Sequence, residues 1–150
     1  MNRSFLKPKL FKICPWQLVF CLFLLRGVVF GQTAAPYDIL INEFMADPTP
    51  PVYLPNSEFI ELYNRSTKTF NLDGFKIYNG SVSTTLPSHI LKPNSYVVIY
   101  TKKTTVDFGS NIDTIQVPKL ITLSNPNDTF HLVAPNGIVI DAATYDLSFY

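Results

Sequence analysis

Two histidines are the residues of this chain best suited to acid–base or metal chemistry, because imidazole changes charge near neutral pH and binds metals readily. His131 alternates with Phe130 and Leu132, which predicts a solvent-facing or cross-strand side chain. His89 follows a Pro-Ser dipeptide in a predicted loop and has no acidic residue near it in the sequence. Because a zinc site needs about four clustered ligands, neither histidine is predicted to be a ligand or a catalytic base.

Acidic residues offer a second kind of chemistry. Glu43, Asp47, Glu58 and Glu61 surround one predicted loop and carry the oxygen ligands that calcium prefers. The spacing of a calcium-binding loop is missing, however, so the favoured interpretation is that Glu43 and Glu61 point outward or hydrogen-bond nearby backbone. The chain also has no Gly-x-Ser-x-Gly nucleophile motif. The sequence therefore predicts no catalytic residue, no metal site and no cofactor.

Aromatic residues are abundant enough that some must lie outside a core. An exposed row of tyrosines would indicate a surface that binds glycan or protein, because tyrosine combines stacking area with a polar tip. Cross-strand packing is the favoured alternative. The aromatic residues concerned are Tyr53, Phe59, Tyr63, Phe75, Tyr78, Tyr96 and Tyr100.

The elements that must position these side chains are predicted to be strands. Beyond Gln32, Pro and Gly recur too often for long helices, whereas short β-prone runs alternate with turn residues. In the run 58–64, Ile60 and Leu62 fall on one face, and Phe59, Glu61 and Tyr63 fall on the other. The other predicted strands are 39–45, 75–79, 96–101, 129–133 and 138–145, with 120–123 as a further short one.

Turn chemistry sets the order of these strands. Lys92 to Ser95 suits a type I turn with Pro93 in its second position, and Asn136-Gly137 suits a hairpin turn. About six or seven short strands without interposed helices favour an all-β antiparallel sandwich, with a closed barrel as the alternative.

Export is predicted from residues 1–31. Basic residues precede an apolar run at 18–25, and Val29 to Gly31 lead into a polar segment, as in a secretory signal peptide. A membrane anchor would need about 20 apolar residues, but Arg26 interrupts this run. Cleavage is predicted after Gly31, with Ala34 or Ala35 as alternative sites, so that no transmembrane segment remains.

Charge and cysteine content change once the leader is removed. Residues 32–150 carry seven basic and eleven acidic residues, a net charge of −4, which disfavours nucleic-acid binding. Both cysteines, Cys14 and Cys21, lie in the leader. The remaining domain is predicted to be stabilised by packing alone, and it is long enough for one core.

Five phrases of the sequence carry a resemblance: Ile41 to Pro48, Glu58 to Asn64, Asn71 to Phe75, Leu91 to Ile99, and a closing part made of Asp128 to Val133, Gly137 and Val139 to Tyr145. In this order they resemble the lamin-tail domain family, whose fold is an immunoglobulin-like sandwich. The resemblance covers about residues 39–146, and Asn94 replaces a common glycine.

No heptad-repeat rod or prenylation signal is present, so the resemblance points to the exported bacterial branch of the family. It implies a secreted or cell-surface module, residues 32–150, that contacts protein or glycan and does not catalyse. The alternative is an accessory domain of a larger secreted hydrolase, such as a nuclease or phosphatase, with its catalytic part beyond residue 150. Because such domains usually continue with another edge strand, the domain is predicted to be truncated at its C-terminal end.

Overall fold

Runs of alternating apolar and polar residues form strands here because the alternation buries one side of a pleated ribbon. A computed structural model describes residues 33–49, 55–101, 106–124 and 126–146, and the predicted leader lies outside these residues. The strands in these ranges are β1 (Ile39–Met45), β2 (Phe59–Asn64), β3 (Phe70–Asn71), β4 (Lys76–Asn79), β5 (Val82–Thr85), β6 (Ile90–Leu91), β7 (Tyr96–Thr101), β8 (Thr114–Val117), β9 (Asn127–Val133) and β10 (Val139–Asp146).

The strands form two four-stranded sheets and a two-stranded pair. The first sheet has the order β1-β2-β7-β8, the second sheet has the order β10-β9-β4-β5, and β3 pairs with β6. Within the described ranges, neighbouring strands run antiparallel except β7 and β8, which pair in parallel. The predicted all-β sandwich is confirmed, with this parallel edge pair as a feature that the turn pattern did not indicate.

The main core lies between the inner faces of the two sheets. Ile60, Leu62 and Ile99 of the first sheet and Ile77 and Leu132 of the second are fully buried in one hydrophobic cluster. Ile60 and Leu62 therefore share the inner face of β2, as their spacing predicted. Burial of a large aliphatic side chain contributes roughly 1.5–3 kcal/mol, so this cluster supplies most of the stability of a domain without disulfides.

A second, smaller cluster lies on the outer face of the first sheet. Phe59, Val98 and Tyr100 are buried there, beneath the segment that contains Val106 and Phe108. The ring of Phe108 lies 5.7 Å from that of Phe59 and 4.9 Å from that of Tyr100, between ring centroids. The segment before β8 is thus held against the outside of the first sheet.

Asn64, the last residue of β2, is fully buried and fully hydrogen-bonded. Its amide nitrogen donates to the carbonyl oxygens of Lys68 (2.7 Å) and Leu91 (3.1 Å). Its side-chain oxygen accepts from the backbone N–H (3.0 Å) and the hydroxyl (2.8 Å) of Ser66. This one side chain therefore fixes the turn after β2 and ties it to β6.

The turn before β7 differs from the predicted type I turn. Asn94, its third residue, has φ 55°, a value that excludes type I and is typical of type II. The prediction was wrong because asparagine tolerates the left-handed region better than most side chains do. The predicted hairpin is confirmed: β9 and β10 flank a turn in which Gly137 has φ 84°.

The segment between β7 and β9 also corrects the prediction. The short strand lies at Thr114–Val117, and residues 120–123 are irregular although Leu120, Ile121 and Leu123 are buried. Their backbone is irregular, but their side chains fill the main core. An apolar run of this length fits a strand or a buried loop equally well, because burial alone does not require a ladder of backbone hydrogen bonds.

On one side of the sandwich the edges of the two sheets approach each other. The N–H of Ile41 in β1 donates to the carboxylate of Asp141 in β10 at 2.8 Å, and the N–H of Tyr37 donates to the carbonyl of Ile140 at 2.7 Å. Among the described residues, β1 and β10 do not pair as strands, so the two sheets stay separate and the barrel alternative is not formed.

Candidate functional site

A groove on the outer face of the first sheet is one of the concave surfaces that the described residues form. It has a volume of about 390 Å³ and lies where the turn before β8 approaches β2 and β7. Its lining residues are Glu61, Ser95, Tyr96, Val98, Asn111, Ile112 and Asp113. The groove therefore combines two carboxylates, an amide, an aromatic ring and two aliphatic side chains.

One wall of the groove is a tyrosine held by its neighbours. Tyr63 and Tyr96 are partners across β2 and β7, and their rings stack with centroids 4.5 Å apart and planes 23° apart. The hydroxyl of Tyr63 donates to the side-chain oxygen of Asn94 at 3.3 Å. The Tyr96 side chain is nevertheless 47% exposed. Stacking restricts the ring of Tyr96, so that a ligand would meet a preformed aromatic surface.

The opposite wall is the turn that leads into β8. The N–H of Ile112 donates to the carbonyl of Gly109 at 3.2 Å, and the N–H of Val98 donates to the carbonyl of Asp113 at 2.9 Å. The first bond closes the turn and the second attaches it to β7, while Ile112 remains 48% exposed. An exposed isoleucine beside two carboxylates is the apolar part of this wall.

His89 has an acidic partner that its sequence neighbourhood did not reveal. Its Nε2 lies 2.9 Å from the Oδ2 of Asp113, which lines the groove. His89 has no acidic residue near it in the sequence, but the fold brings it together with an aspartate 24 positions away. This pair links the loop before β6 to the groove wall.

Glu43 and Glu61 are direct partners across β1 and β2 on the outer face. A bulge at Asn42 precedes this pair, and the amide nitrogen of Asn42 donates to Oε1 of Glu61 at 2.8 Å. Among the described residues, neither glutamate forms an ion pair with a lysine or arginine; the described ion pairs are Lys68–Asp38 and His89–Asp113. The first sheet thus places two like charges side by side, which is unfavourable in the absence of a cation.

The other two acidic residues that were weighed as calcium ligands make separate contacts. Asp47 accepts a hydrogen bond from the N–H of Thr49 at 3.0 Å. Burial raises the pKa of the Glu58 carboxyl, although a hydrogen bond with the backbone of Leu123 opposes the shift. In the ranges that the structure describes, no group of three or more His, Cys, Asp or Glu residues is placed to hold a metal ion.

The comparison with protein families decides what kind of domain carries this groove. The family model of the Lamin Tail Domain matches residues 32–146, a range that contains every strand described above. The chain belongs to the lamin tail domain family. No curated protein matches the chain. The fold is the immunoglobulin-like sandwich expected of a lamin tail domain, and immunoglobulin-like domains of this kind are typically non-catalytic interaction modules.

The remaining candidate residues that the structure describes in this lamin tail domain lie on the outer face of the second sheet, in the main core or in the outer cluster of the first sheet. His131 is half-buried on the outer face of the second sheet, where it stacks on its cross-strand neighbour Tyr78 with ring centroids 5.5 Å apart. The predicted cross-strand histidine is therefore confirmed. Phe59, Phe75 and Tyr100 are buried, and Tyr53 lies outside the described residues.

A smaller cavity of about 200 Å³ lies at the N-terminal end of the lamin tail domain. It is formed mostly by small or apolar side chains around the turn between β9 and β10, and it contains no charged residue.

In the described part of the chain, no helix has the length and hydropathy of a membrane span.

The sequence predicts the residues of one wall of the groove but not those of the other. Tyr96 and Glu61 were both identified as candidates, and their strands were predicted correctly. The turn containing Asn111 and Asp113 falls in the part of the chain where the pattern was least clear. Its Gly109-Ser110-Asn111 run is a turn signal, and it could have indicated a short loop before β8.

Proposed function

We propose that this lamin tail domain is a secreted or cell-surface interaction module of a bacterium, and that it contacts a protein or glycan partner through the groove of the first sheet. The groove itself is the observation that carries the proposal. Its volume of about 390 Å³ is comparable to that of many ligand sites, and it presents exposed aromatic and aliphatic groups beside carboxylates. A surface of this kind provides both contact area and specific hydrogen bonds.

The contacts around His89 support a role without catalysis. A nucleophilic mechanism needs a hydroxyl or thiol within hydrogen-bonding distance of the imidazole. The neighbouring hydroxyl of Ser88 donates instead to the side-chain oxygen of Asn71 at 3.2 Å. The Nε2 of His89 contacts the carboxylate of Asp113 at 2.9 Å.

The sign of the charge at the groove argues against nucleic acid as the partner. Phosphate binding requires clustered basic residues that release counterions. Glu61 and Asp113 line the groove, and Glu43 lies beside it. These carboxylates would repel a phosphate backbone, which agrees with the acidic balance of residues 32–150.

A binding screen with a matched pair of variants tests the proposed surface. The exported chain, fluorescently tagged, is applied to glycan and peptide arrays together with Tyr96→Ser and Tyr78→Ser. Tyr96 lines the groove, whereas Tyr78 lies on the outer face of the second sheet. We expect Tyr78→Ser to keep the ligands of the original protein and Tyr96→Ser to lose them. Equal binding by all three proteins, or binding by none, would contradict the assignment.

Export is tested separately by N-terminal sequencing of protein recovered from the culture medium or cell surface. A first residue between 32 and 36 would support cleavage of the leader. Protein that keeps Met1 would overturn the export part of the proposal.

A further inference from the structure

We propose that the groove of the first sheet binds a basic segment of a protein partner, and that an arginine or lysine side chain of this segment enters the groove. The inference rests on the proposed function and narrows the partner to a cationic polypeptide. Three features of the groove carry it: the carboxylates of Glu43 and Glu61, which form no ion pair with a described lysine or arginine; the ring of Tyr96, which stacks on another ring; and an aliphatic surface of one buried and one exposed side chain.

The carboxylates of Glu43 and Glu61 give the groove a negative charge that no described lysine or arginine neutralises, whereas Asp113 is paired with His89. Glu61 and Asp113 line the groove, and Glu43 is the direct cross-strand partner of Glu61. No lysine or arginine is among the described residues that line it. A cation placed between these groups would relieve the repulsion of Glu43 and Glu61 and would form charge-assisted hydrogen bonds with the carboxylates.

The aromatic wall suits the same cation. One face of the Tyr96 ring is stacked on Tyr63, which does not itself line the groove, and Tyr96 remains largely exposed at the groove. A guanidinium or ammonium group over an aromatic face is attracted by the negative charge density of the ring. The stack with Tyr63 holds Tyr96 in place, so a ligand would lose little affinity to ordering of the ring.

The aliphatic side chains match the stem of a basic residue. Val98 is buried at the base of the groove, and Ile112 is exposed at its wall. Arginine and lysine cover apolar surface with their methylene groups while the charged end reaches polar partners. The combination of a carboxylate, a ring and an aliphatic surface within one groove is therefore complementary to each part of such a side chain.

A neutral sugar fits these observations less well. It could stack on Tyr96 and accept or donate hydrogen bonds, but it would leave the paired carboxylates of Glu43 and Glu61 without a cation. Charge complementarity thus favours the basic polypeptide, and glycan binding is an outcome that the experiment distinguishes.

The test compares peptides that differ only in charge. The exported chain is titrated with Gly/Ser octapeptides that carry two central arginines, two lysines or two citrullines, and binding is followed by NMR chemical shifts. Citrulline keeps the shape of arginine but is neutral. We expect the arginine peptide to bind at least fivefold more tightly than the citrulline peptide, and we expect its affinity to fall as salt is added. Shifts should be largest at Glu61, Tyr96 and Asp113.

Two substitutions with the same change in net charge separate a site from general attraction. Glu61→Gln removes a groove carboxylate but keeps the oxygen that accepts from Asn42. Asp73→Asn removes an exposed carboxylate in the turn before β4, which does not line the groove. We expect Glu61→Gln to lower the affinity for the arginine peptide at least fivefold and Asp73→Asn to change this affinity less than twofold.

Several results would overturn the inference. Equal affinity for arginine and citrulline peptides, or equal losses in Glu61→Gln and Asp73→Asn, would show that no cation site exists. Binding of an uncharged oligosaccharide that depends on Tyr96, without a preference for arginine, would refute the inference and leave the proposed function standing. If neither peptides nor oligosaccharides change the NMR chemical shifts of the groove residues, both proposals fail. The peptide titrations use the original protein, so this result does not depend on whether a variant folds.

Discussion

Both sheets have four strands, but their outer faces carry different surfaces. The second sheet presents short polar side chains, such as Thr129 and Thr144 with hydroxyl oxygens 3.1 Å apart, and the stacked pair Tyr78 and His131. The first sheet carries a small hydrophobic cluster and, beside it, the groove. The difference comes from the segment 106–113, which packs on the first sheet and gives it a concave surface.

This comparison shows where a sandwich acquires a binding site. A pleated sheet is nearly flat, and its outward side chains alone make a shallow surface. A connecting segment that packs on it creates walls, as loops do in many binding proteins. The groove therefore depends on two layers of packing, the main core and the outer cluster, and substitutions in each layer should have different effects on the two faces.

The largest effect is expected at the buried end of β2, where one side chain fixes the following turn and ties it to β6. Asn64→Ala removes four hydrogen bonds from a fully buried site and leaves the carbonyls of Lys68 and Leu91 without that donor. We expect a loss of about 3 kcal/mol in the free energy of unfolding. Urea denaturation measures it, with exposed Asn127→Ala as a control expected to change stability by less than about 0.5 kcal/mol. Similar losses in both variants would refute the role assigned to Asn64.

A smaller effect is expected from breaking the outer cluster, and it should make the first sheet resemble the second. Phe108→Ala removes the ring that contacts Phe59 and Tyr100. Because Phe108 is only half-buried, we expect a loss of about 2 kcal/mol, less than for a core phenylalanine. Hydrogen exchange should increase in the segment 106–113 and remain unchanged in β4 and β9.

The matched control lies on the other face. Tyr78→Ala removes a stacked ring from the second sheet and is expected to cost about 1 kcal/mol. Its hydrogen-exchange change should be confined to β4 and β9. Faster exchange of residues 106–113 in this variant would mean that the two outer faces are coupled, contrary to the comparison.

Dependence on pH offers a finer distinction, because the two carboxyl groups with shifted pKa values among the described residues both adjoin the first sheet. A hydrogen bond from the N–H of Ala35 chiefly lowers the pKa of Asp38; burial opposes this shift, while Lys68 and Arg65 add to it. Its contribution to stability is therefore present above the ordinary aspartate pKa and is lost as pH falls through the folded value. In thermal unfolding, Asp38→Asn should lose less stability on acidification than the original protein does.

Glu58 should show the smallest effect and the opposite sign. Burial raises its pKa in the folded protein, so its contribution favours folding below the ordinary glutamate pKa and is lost as pH rises through the folded value. Glu58→Gln keeps an acceptor for the hydrogen bond with the backbone of Leu123. We expect it to leave stability unchanged or slightly higher at neutral pH, measured by thermal unfolding. A clear decrease would show that the charged carboxylate is needed there.

Much of this fold could be predicted from local patterns. The strands β2 and β7 follow from period-two alternation and β-branched content, and the last hairpin follows from Asn136-Gly137. The site was only half predictable, because its walls come from segments separated along the chain. Nothing near His89 in the sequence indicates Asp113, and no alternation indicates that 106–108 covers Phe59. Such contacts depend on how β8 joins the first sheet, which local patterns do not specify.

The burial of Asn64 has a consequence for producing this protein in eukaryotic cells. Asn64-Arg65-Ser66 is an acceptor tripeptide for N-linked glycosylation, which would occupy the amide nitrogen that bonds to Lys68 and Leu91. A sugar at this fully buried position is incompatible with the folded domain, so attachment before folding would trap the chain outside its native state. Protein secreted from such a host should carry no glycan at Asn64. Ser66→Ala removes the acceptor sequence, which protects the chain from glycosylation, but it also removes one hydrogen bond to Asn64. The secreted yield of this variant should change according to which of the two effects is larger.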